Sequence, residues 1–391
     1  MNVIDLFSGV GGFSTGLQNA GYNVILANEI DKQIAESYKF NHPDTLMINK
    51  DITEFVCNIE SYVEESIQKL NLKNKNKFKD KLSKIDLVVG GPPCQGFSMA
   101  GGRIRKSEKF IDDPRNYLFK KYFEIIQKYE PKYFILENVI GITSMNNGEI
   151  LSQILELFGN DKNFRKGKYF LKYKIFKMEE YGVPQKRRRF ILIGSKTDFD
   201  LDEMIEYTFQ NLPKEKINLF RSNHSVKDVV SDLYLKDTNS YKDKIEYFIK
   251  PKNDLQRYLR KNSKFIFQHL IPVHSEITID RISRIKQGQN WMHLAESKDI
   301  KSVHSGAYGR IIDDEPSVTI TTRFDTPSAG RFIHPYRNSN ITIREAARIQ
   351  TFPDNFIFKG NKTSICKQIG NAVPPLFAEF LGNLINNINT K

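Results

Sequence analysis

The residue best placed for chemistry is Cys94, which lies in the stretch GGPPCQGFS directly after the apolar run IDLVV. Two prolines restrict the backbone before this cysteine, and a loop-like segment follows it. The carboxyl end of a parallel strand is where α/β folds place their ligands, so a thiol held there is predicted to be a nucleophile. Cys57 and Cys366 have no comparable context and are predicted to be small buried apolar residues.

Two further motifs supply a carboxyl group and guanidinium groups, which can stabilise charge in a reaction. Glu137 lies in the run ILENV, near Cys94 if the strands before them are neighbours; alternatively, it caps the next helix. In the basic run QKRRR, strand alternation would point Arg187 and Arg189 to one side and Arg188 to the other. The alternative for this run is a solvated basic turn.

A glycine-rich turn, SGVGG, follows the first predicted strand and opens a predicted helix. Gly9, Gly11 and Gly12 would let backbone approach a ligand closely, and Glu29, at the end of the next strand, could accept hydrogen bonds from ribose hydroxyls. Asp51 follows the third strand and could accept from an adenine amino group or merely cap a helix. Together these features predict a nucleoside-containing cofactor, although the glycines alone would fit any tight turn.

The elements that must position these residues are short apolar runs alternating with helical patterns, which predict a parallel sheet with crossover helices. Five strands are predicted, at 3–7, 23–27, 45–48, 86–90 and 133–138. The runs 173–178 and 189–194 are predicted to form an antiparallel hairpin at the sheet edge, which would make the sheet mixed. Gly21 is expected to end the first helix. The lysine- and asparagine-rich segment 68–84 is expected to be a solvated helix or loop.

Composition narrows the class of protein. The chain has 391 residues, a formal net charge of +13 and three cysteines without CxxC spacing. Such a charge favours a polyanionic partner, with nucleic acid as the leading candidate. Free thiols are expected in place of disulfides or a zinc site, and no metal is predicted. With no leader pattern and no long apolar stretch, the protein is expected to be soluble and cytoplasmic, without a membrane partner.

The sequence changes character at about residue 200. Strand and helix alternation fades there, and the stretch 250–310 holds twelve Lys or Arg against five Asp or Glu. This change predicts a second lobe that contacts phosphates. A compact helical pattern returns after Thr342.

The motifs DLFSGVGGF, NEID, GGPPCQGFS, DDPRNYLF, ENV, QKRRR, REAARIQTFPD and QIGNAVPP, in this order, resemble those of the bacterial DNA cytosine-5 methyltransferases of restriction-modification type. The resemblance covers the first 195 residues and about the last 50. It implies an α/β, Rossmann-like S-adenosylmethionine-dependent methyltransferase fold with a mixed, mostly parallel sheet, formed by residues 1–199 plus 336–391. A smaller target-recognition domain would span 200–335.

The resemblance also implies a role for individual residues. The catalytic group would be Cys94, Glu137, Arg187 and Arg189. Cofactor would be bound by Phe7, Gly9, Gly11, Gly12, Glu29, Ile30, Asp51, Ile52, Pro93, Leu118, Asn371 and Ala372, and DNA by Gln95, Ser98, Arg103 and Arg105. Ile30 departs from the family pattern, since some members carry an aromatic residue there.

The implied reaction is methyl transfer from S-adenosylmethionine to C5 of a flipped-out cytosine, which leaves S-adenosylhomocysteine. A thiolate at Cys94 would add to C6 and make C5 electron-rich. The expected partners are duplex DNA, to which a monomer would bind in the nucleoid, and a cognate restriction endonuclease. Alternatives are a tRNA cytosine-5 methylase, a catalytically silent DNA-binding regulator, and a nicotinamide- or flavin-dependent oxidoreductase, which would not explain PPCQ, ENV and QxRxR together.

Overall fold

A computed structural model describes residues 1–68, 72–93, 117–233, 244–297, 300 and 305–390. The chain divides into two compact units, of which the first comprises Met1–Phe176, Arg188–Leu212 and Ala378–Lys391, and the second Lys177–Arg187 and Pro213–Phe377. The functional division into residues 1–199 plus 336–391 and residues 200–335 stays a prediction.

The elements follow in chain order. The strands are β1 (Asn2–Leu6), β2 (Asn23–Asn28), β3 (Leu46–Ile48), β4 (Leu87–Gly90), β5 (Tyr133–Asn138), β6 (Phe170–Lys177), β7 (Gln185–Lys186), β8 (Arg188–Ser195), β9 (Lys244–Glu246), β10 (Phe265–Phe267) and β11 (Ser317–Val318). The helices are α1 (Gly12–Asn19), α2 (Lys32–Asn41), α3 (Ile52–Cys57), α4 (Ile59–Gln68), α5 (Leu72–Leu82), α6 (Tyr117–Tyr129), α7 (Glu149–Gly159), α8 (Leu201–Asn211), α9 (Lys214–Arg221), α10 (Val226–Val230), α11 (Asp254–Arg260), α12 (Glu276–Ser283), α13 (Ile343–Ile349), α14 (Lys362–Asn371) and α15 (Pro375–Thr390). Within the described ranges, none of these helices has the length and apolar character that crossing a membrane requires.

The first unit is built on a seven-stranded sheet with the order β3-β2-β1-β4-β5-β8-β6. Strands β1 to β5 pair in parallel, whereas β8 runs antiparallel to β5, from Tyr133 opposite Ser195 to Asn138 opposite Phe190. The predicted mixed, mostly parallel sheet is confirmed, as are its five parallel strands. The runs predicted for the sheet edge form β6 and β8 there. Since β1 to β5 are parallel, their carboxyl ends share one edge of the sheet.

Apolar side chains on both faces explain why the central strands are continuous hydrophobic runs, as buried parallel strands are. Phe134 of β5 is fully buried, and its ring centroid lies 4.5 Å from that of Phe158 and 5.0 Å from that of Tyr169. Each such buried side chain contributes about 1.5–3 kcal/mol to folding. Most of the carboxyl-terminal helix α15 belongs to this unit, and the Tyr22 hydroxyl donates to its Gly382 carbonyl at 2.9 Å.

Two local predictions are confirmed in the first unit. Gly21 follows α1 with φ +88°, the left-handed conformation that ends helices. The segment between β3 and β4 contains α5, a helix whose Lys79 forms an exposed ion pair with Glu64 at 2.9 Å.

The second unit has little sheet and relies on buried polar contacts. β9 pairs antiparallel with β10, and β7 pairs parallel with β11. The guanidinium of Arg348 is fully buried between the carboxylates of Asp232 and Asp354. Arg344 donates to the carbonyls of Phe267, Pro353 and Phe356. Buried charges need such complete pairing, because an unpaired one costs several kcal/mol.

A buried network of hydrogen-bonded side chains lies beneath the glycine turn of the first unit. The Ser14 hydroxyl donates to Asp5 Oδ2 at 2.6 Å and lies 2.6 Å from the Tyr38 hydroxyl. Burial raises the pKa of Asp5 to about 7, although the hydrogen bond from Ser14 opposes the shift. The native state therefore binds a proton here over a pH range in which the unfolded chain has lost it.

This proton makes stability depend on pH. A carboxyl whose pKa is raised in the native state loses stability as the pH rises from the ordinary carboxyl range towards 7. We predict that Asp5→Asn removes this dependence, so that wild type loses up to ~1.4 kcal/mol per pH unit relative to the variant across that range. Thermal unfolding midpoints at about pH 4, 5.5 and 7 measure the effect. Asp44→Asn, at an exposed position, should follow wild type throughout; parallel curves for Asp5→Asn and wild type would contradict the prediction.

Candidate active site

The glycine turn between β1 and α1 adopts a backbone that few residues tolerate. Phe7, Gly9 and Gly11 have φ values of +53°, +54° and +95°. A Cβ on Gly11 would lie 2.5 Å from His42 Nε2, so packing alone requires glycine there. A Cβ on Gly9 would meet no atom of the described residues within 4 Å. Gly9 therefore suits this left-handed backbone, and the space beside it holds no atom of the part of the chain that the structure describes.

Glu29, at the end of β2, holds this turn in place. Its Oε2 accepts the Gly9 N–H at 3.0 Å and its Oε1 accepts the Asp31 N–H at 2.8 Å. Burial raises the pKa of Glu29, while these two backbone hydrogen bonds act in the opposite direction. A carboxylate has about four acceptor positions, so Glu29 can still accept a ligand hydroxyl.

The residues after β2 and β3 differ in what they expose. The Ile30 side chain is 64% exposed, and the amide of Asn49 fixes its backbone by donating to the carbonyls of Glu29 and Ile30. Asp51 caps α3 by accepting the Thr53 N–H at 2.7 Å, which confirms the helix-cap interpretation and leaves its adenine role a prediction. Ile52 is buried in the core, so its side chain is not available to a ligand.

The end of β4 packs unusually close to its neighbours. A Cβ on Gly90 would lie 2.9 Å from the Leu6 carbonyl, and one on Gly91 would lie 2.8 Å from Glu137 Oε2. The Asn138 amide donates to the Pro92 carbonyl at 3.1 Å. These contacts fix the chain up to Pro93, which is exposed and directly precedes Cys94 in the sequence.

Glu137 and Arg189 form an ion pair in adjacent antiparallel strands. Arg189 Nε lies 2.9 Å from Glu137 Oε1, and the two side chains are 18% and 15% exposed. Glu137 lies inside β5, and the short 3-10 helix that follows begins after Val139, so the helix-cap alternative is wrong. The ion pair is largely buried, so solvent screens it less than it would an exposed pair.

Arg187 belongs to the second unit. Its side chain is fully buried, and its Nη1 donates to the Ile320 carbonyl at 3.4 Å. Arg188 is exposed, so burial alternates along this run as strand periodicity predicts. The alternative of a solvated basic turn is wrong for Arg187 and Arg189.

The remaining predicted residues are distributed as follows. Leu118 is buried in the core at the start of α6, Asn371 is exposed at the end of α14, and Ala372 is half-buried. Cys94, Gln95, Ser98, Arg103 and Arg105 lie outside the described residues.

The two other cysteines have different outcomes. Burial raises the pKa of the Cys366 thiol to about 12, as suits the predicted buried residue. The same prediction is wrong for Cys57, which is exposed at the end of α3. That helix buries Ile52 and Phe55, and Cys57 lies off this face because five residues turn a helix by about 140° beyond a full turn.

Sequence reasoning missed two supports of the site. Asn138 was noticed only as part of the ENV motif, although its amide anchors the segment before Cys94. Tyr38 and His42 pack beneath Gly11 with ring centroids 4.5 Å apart, and no sequence signal links them to a turn about thirty residues earlier.

The mixed, mostly parallel sheet with its helices defines a Rossmann-like fold. A family model described as C-5 cytosine-specific DNA methylase matches residues 1–387. The chain is 34% identical to Type II methyltransferase M.DdeI of Desulfomicrobium norvegicum, covering 100% of this chain and 90% of that protein. It is 31% identical to Type II methyltransferase M1.HphI of Haemophilus parahaemolyticus, covering 100% and 88%.

Solved structures of methyltransferases resemble this chain. A putative DNA modification methyltransferase encoded within an Escherichia coli prophage has a TM-score of 0.72 and 28% identity, with full coverage of both chains. The Dnmt2 methyltransferase of S. pombe, at 18% identity and a TM-score of 0.57, shares the fold. The chain therefore belongs to the C-5 cytosine-specific DNA methylase family. Its activity is DNA cytosine-5 methyl transfer, for which S-adenosylmethionine is the general methyl donor.

Glu29 provides a test of the cofactor site. We predict that Glu29→Ala weakens S-adenosylmethionine binding at least roughly tenfold, because it removes a candidate ribose acceptor and releases the Gly9 N–H. Isothermal titration calorimetry measures the affinity. Glu36→Ala, which removes an exposed carboxylate from α2, is the matched control and should bind as wild type does. Equal affinity in Glu29→Ala and wild type would move the cofactor site away from this turn.

Proposed function

We propose that this protein methylates C5 of a flipped-out cytosine within a specific duplex DNA sequence, through a covalent bond between Cys94 and C6. The observation that carries the proposal is the edge formed by β4 and β5. There the segment entering PPCQ is bonded to Asn138, next to the Glu137–Arg189 pair. A carboxyl and a guanidinium beside a nucleophile suit a reaction that moves negative charge into a ring.

The chemistry explains why a cysteine is required. Cytosine C5 is too weak a nucleophile to attack a methyl group, but addition of the Cys94 thiolate to C6 turns the ring into an enamine. The bound S-adenosylmethionine supplies an electrophilic methyl group to C5 and leaves as S-adenosylhomocysteine. Loss of the C5 proton to a base and elimination of the thiolate then release 5-methylcytosine.

Glu137 and Arg189 would stabilise the adduct. Negative charge that arrives at N3 and O2 needs a shared proton and a cation, which a carboxyl and a guanidinium provide. Arg189 Nε, which lies 2.9 Å from Glu137 Oε1, would hold the carboxyl group while that group interacts with N3. Arg187 enters this group through the sequence resemblance alone.

The cofactor would lie at the carboxyl ends of β1 to β4. Phe7, the glycine turn and Glu29 suit the ribose and methionine portions, while the exposed Ile30 and the carboxylate of Asp51 suit adenine. Backbone at Ile52, together with Pro93 and Leu118, would complete this side. Asn371 and Ala372 are assigned by resemblance.

DNA recognition would fall to residues 200–335, with phosphate and base contacts also from Gln95, Ser98, Arg103 and Arg105. The net charge of +13 supports a polyanionic substrate. Flipping a base costs a few kcal/mol, which phosphate contacts can offset. Relatives named Type II methyltransferases support the role of a modification enzyme paired with an endonuclease of the same specificity. The enzyme would act as a cytoplasmic monomer.

The nucleophile can be tested with a substrate that cannot complete the cycle. We predict that duplex DNA carrying 5-fluorocytosine at the target forms a denaturation-resistant complex, dependent on S-adenosylmethionine, because fluorine cannot leave C5 as a cation. The target itself is found by methylation-sensitive sequencing of DNA from cells that express the protein. Mass spectrometry should locate the cross-link on Cys94.

Variants at the three cysteines complete this test. Cys94→Ser should abolish the complex, whereas Cys57→Ser and Cys366→Ser should form it. A cross-link on another residue, or full methylation by Cys94→Ser, would contradict the mechanism. Competition between duplex DNA and tRNA for methyl transfer tests the alternative of a tRNA methylase. The proposal requires duplex DNA to be methylated in preference to tRNA.

A further inference from the structure

Two buried glutamines of the second unit make a contact that the proposed chemistry does not use. Gln185 begins β7 and Gln350 follows α13, and neither side chain is exposed to solvent. Gln185 Nε2 donates to Gln350 Oε1 at 2.8 Å. The contact joins the QKRRR run to the REAARIQ run across 165 positions of sequence.

Each amide makes a second hydrogen bond, to the backbone. Gln185 Oε1 accepts the Ile320 N–H at 2.7 Å, and Gln350 Nε2 donates to the Ile369 carbonyl at 2.6 Å. A side-chain amide has one donor end and one acceptor end. Flipping either amide would therefore bring two donors or two acceptors together, so only one orientation of each satisfies all three hydrogen bonds. We call the chain from the Ile320 N–H through Gln185 and Gln350 to the Ile369 carbonyl the amide relay.

The first end of the amide relay lies beside Arg187. Gln185 holds the N–H of Ile320, and Arg187 Nη1 donates to the carbonyl of the same residue at 3.4 Å. The adjacent Thr319 hydroxyl donates to the Lys186 carbonyl at 2.8 Å. Any shift of Gln185 would therefore be transmitted to the backbone that holds the Arg187 guanidinium.

The other end leads to the QIGNAVPP segment. Ile369 lies two residues before Asn371, and its carbonyl is the acceptor of Gln350 Nε2. A Cβ on Gly370 would lie 2.5 Å from the Thr321 carbonyl carbon, so this segment rests directly on the residue after Ile320. The amide relay and this contact therefore hold the segment at Ile369 against the segment at Ile320 from two sides.

We propose that Gln185 and Gln350 are positioning residues, which fix the 369–372 segment relative to Arg187 and thereby set the affinity for S-adenosylmethionine. The inference rests on the proposed function, because it uses the roles assigned to Arg187, Asn371 and Ala372. Both glutamines act through other residues and need not touch either substrate. A buried relay with one allowed orientation suits this task, because it resists slippage better than apolar packing does.

A nearly isosteric charge change tests the relay. In Gln185→Glu the carboxylate still accepts the Ile320 N–H, but its second oxygen faces Gln350 Oε1 and no donor remains between them. Rotating the Gln350 amide moves the same conflict to the Ile369 carbonyl. Protonation of the new carboxyl restores a donor, so acid should repair the variant.

The measured quantity is the KM for S-adenosylmethionine at saturating DNA. We express it as the ratio of the variant's KM to the wild-type KM at the same pH. At about pH 8.5 this ratio should be roughly tenfold to one hundredfold, and it should fall towards one at about pH 6. The Kd for duplex DNA should stay within about threefold of wild type at both values.

Two further variants separate positioning from general loss of structure. Gln256 is an equally buried amide of the same unit, whose Nε2 donates to the Asp228 carbonyl and whose Oε1 accepts the Lys252 N–H. Gln256→Glu should leave the KM ratio near one at every pH. Gln350→Met removes two bonds of the relay without adding charge, so it should raise KM without recovery in acid.

The outcomes are distinct. A Gln185→Glu ratio near one throughout, or a Gln256→Glu ratio with the same pH dependence, would overturn the inference. If Gln185→Glu does not fold, a wild-type KM in Gln350→Met overturns it equally. An inactive wild type would instead contradict the proposed function, and calorimetry with S-adenosylmethionine on the same variants would still test the relay.

Discussion

The close approach of the β4 terminus to the strands on either side is the constraint on which the candidate site depends. A Cβ on Gly90 would lie 2.9 Å from the Leu6 carbonyl oxygen, and one on Gly91 would displace the Glu137 carboxylate, whose Oε2 lies 2.8 Å away. Asn138 then holds the Pro92 carbonyl, so the chain leaves the sheet in one direction. The same contacts place the Glu137 carboxylate directly against the Gly91 backbone.

The same constraint explains which parts of the fold could be predicted from sequence. Continuous apolar runs identify β1 to β5, because buried parallel strands are apolar on both faces. The glycines and Glu29 were identifiable because their spacing after a strand follows a general rule for nucleotide sites. Glu137 was predicted from its place at the end of the fifth strand, whereas its ion pair with Arg189 depends on β8 running antiparallel beside β5.

Sequence reasoning failed where the relevant contact joins distant segments through polar groups. The bond between Gln185 and Gln350, or that between Arg348 and Asp232, leaves no periodic trace in the sequence. Cys57 was misassigned because its burial depends on the rotational position of a six-residue helix, which composition does not reveal. In the second unit, the buried side chains of Arg310 and Arg344 donate hydrogen bonds to backbone carbonyls. In the first unit, sheet hydrogen bonds satisfy many such carbonyls.

The central claim is that the β4 terminus positions the Glu137 carboxylate for chemistry. The most direct measurement is the single-turnover rate of methyl transfer by Gly91→Ala, at saturating S-adenosylmethionine and DNA. The added methyl meets the far end of one side chain, so the variant should fold and bind cofactor while its rate falls roughly one hundredfold. Gly141→Ala, where the nearest atom is Met145 Cε at 3.4 Å, is the control and should react at the wild-type rate. A wild-type rate in Gly91→Ala would contradict the account.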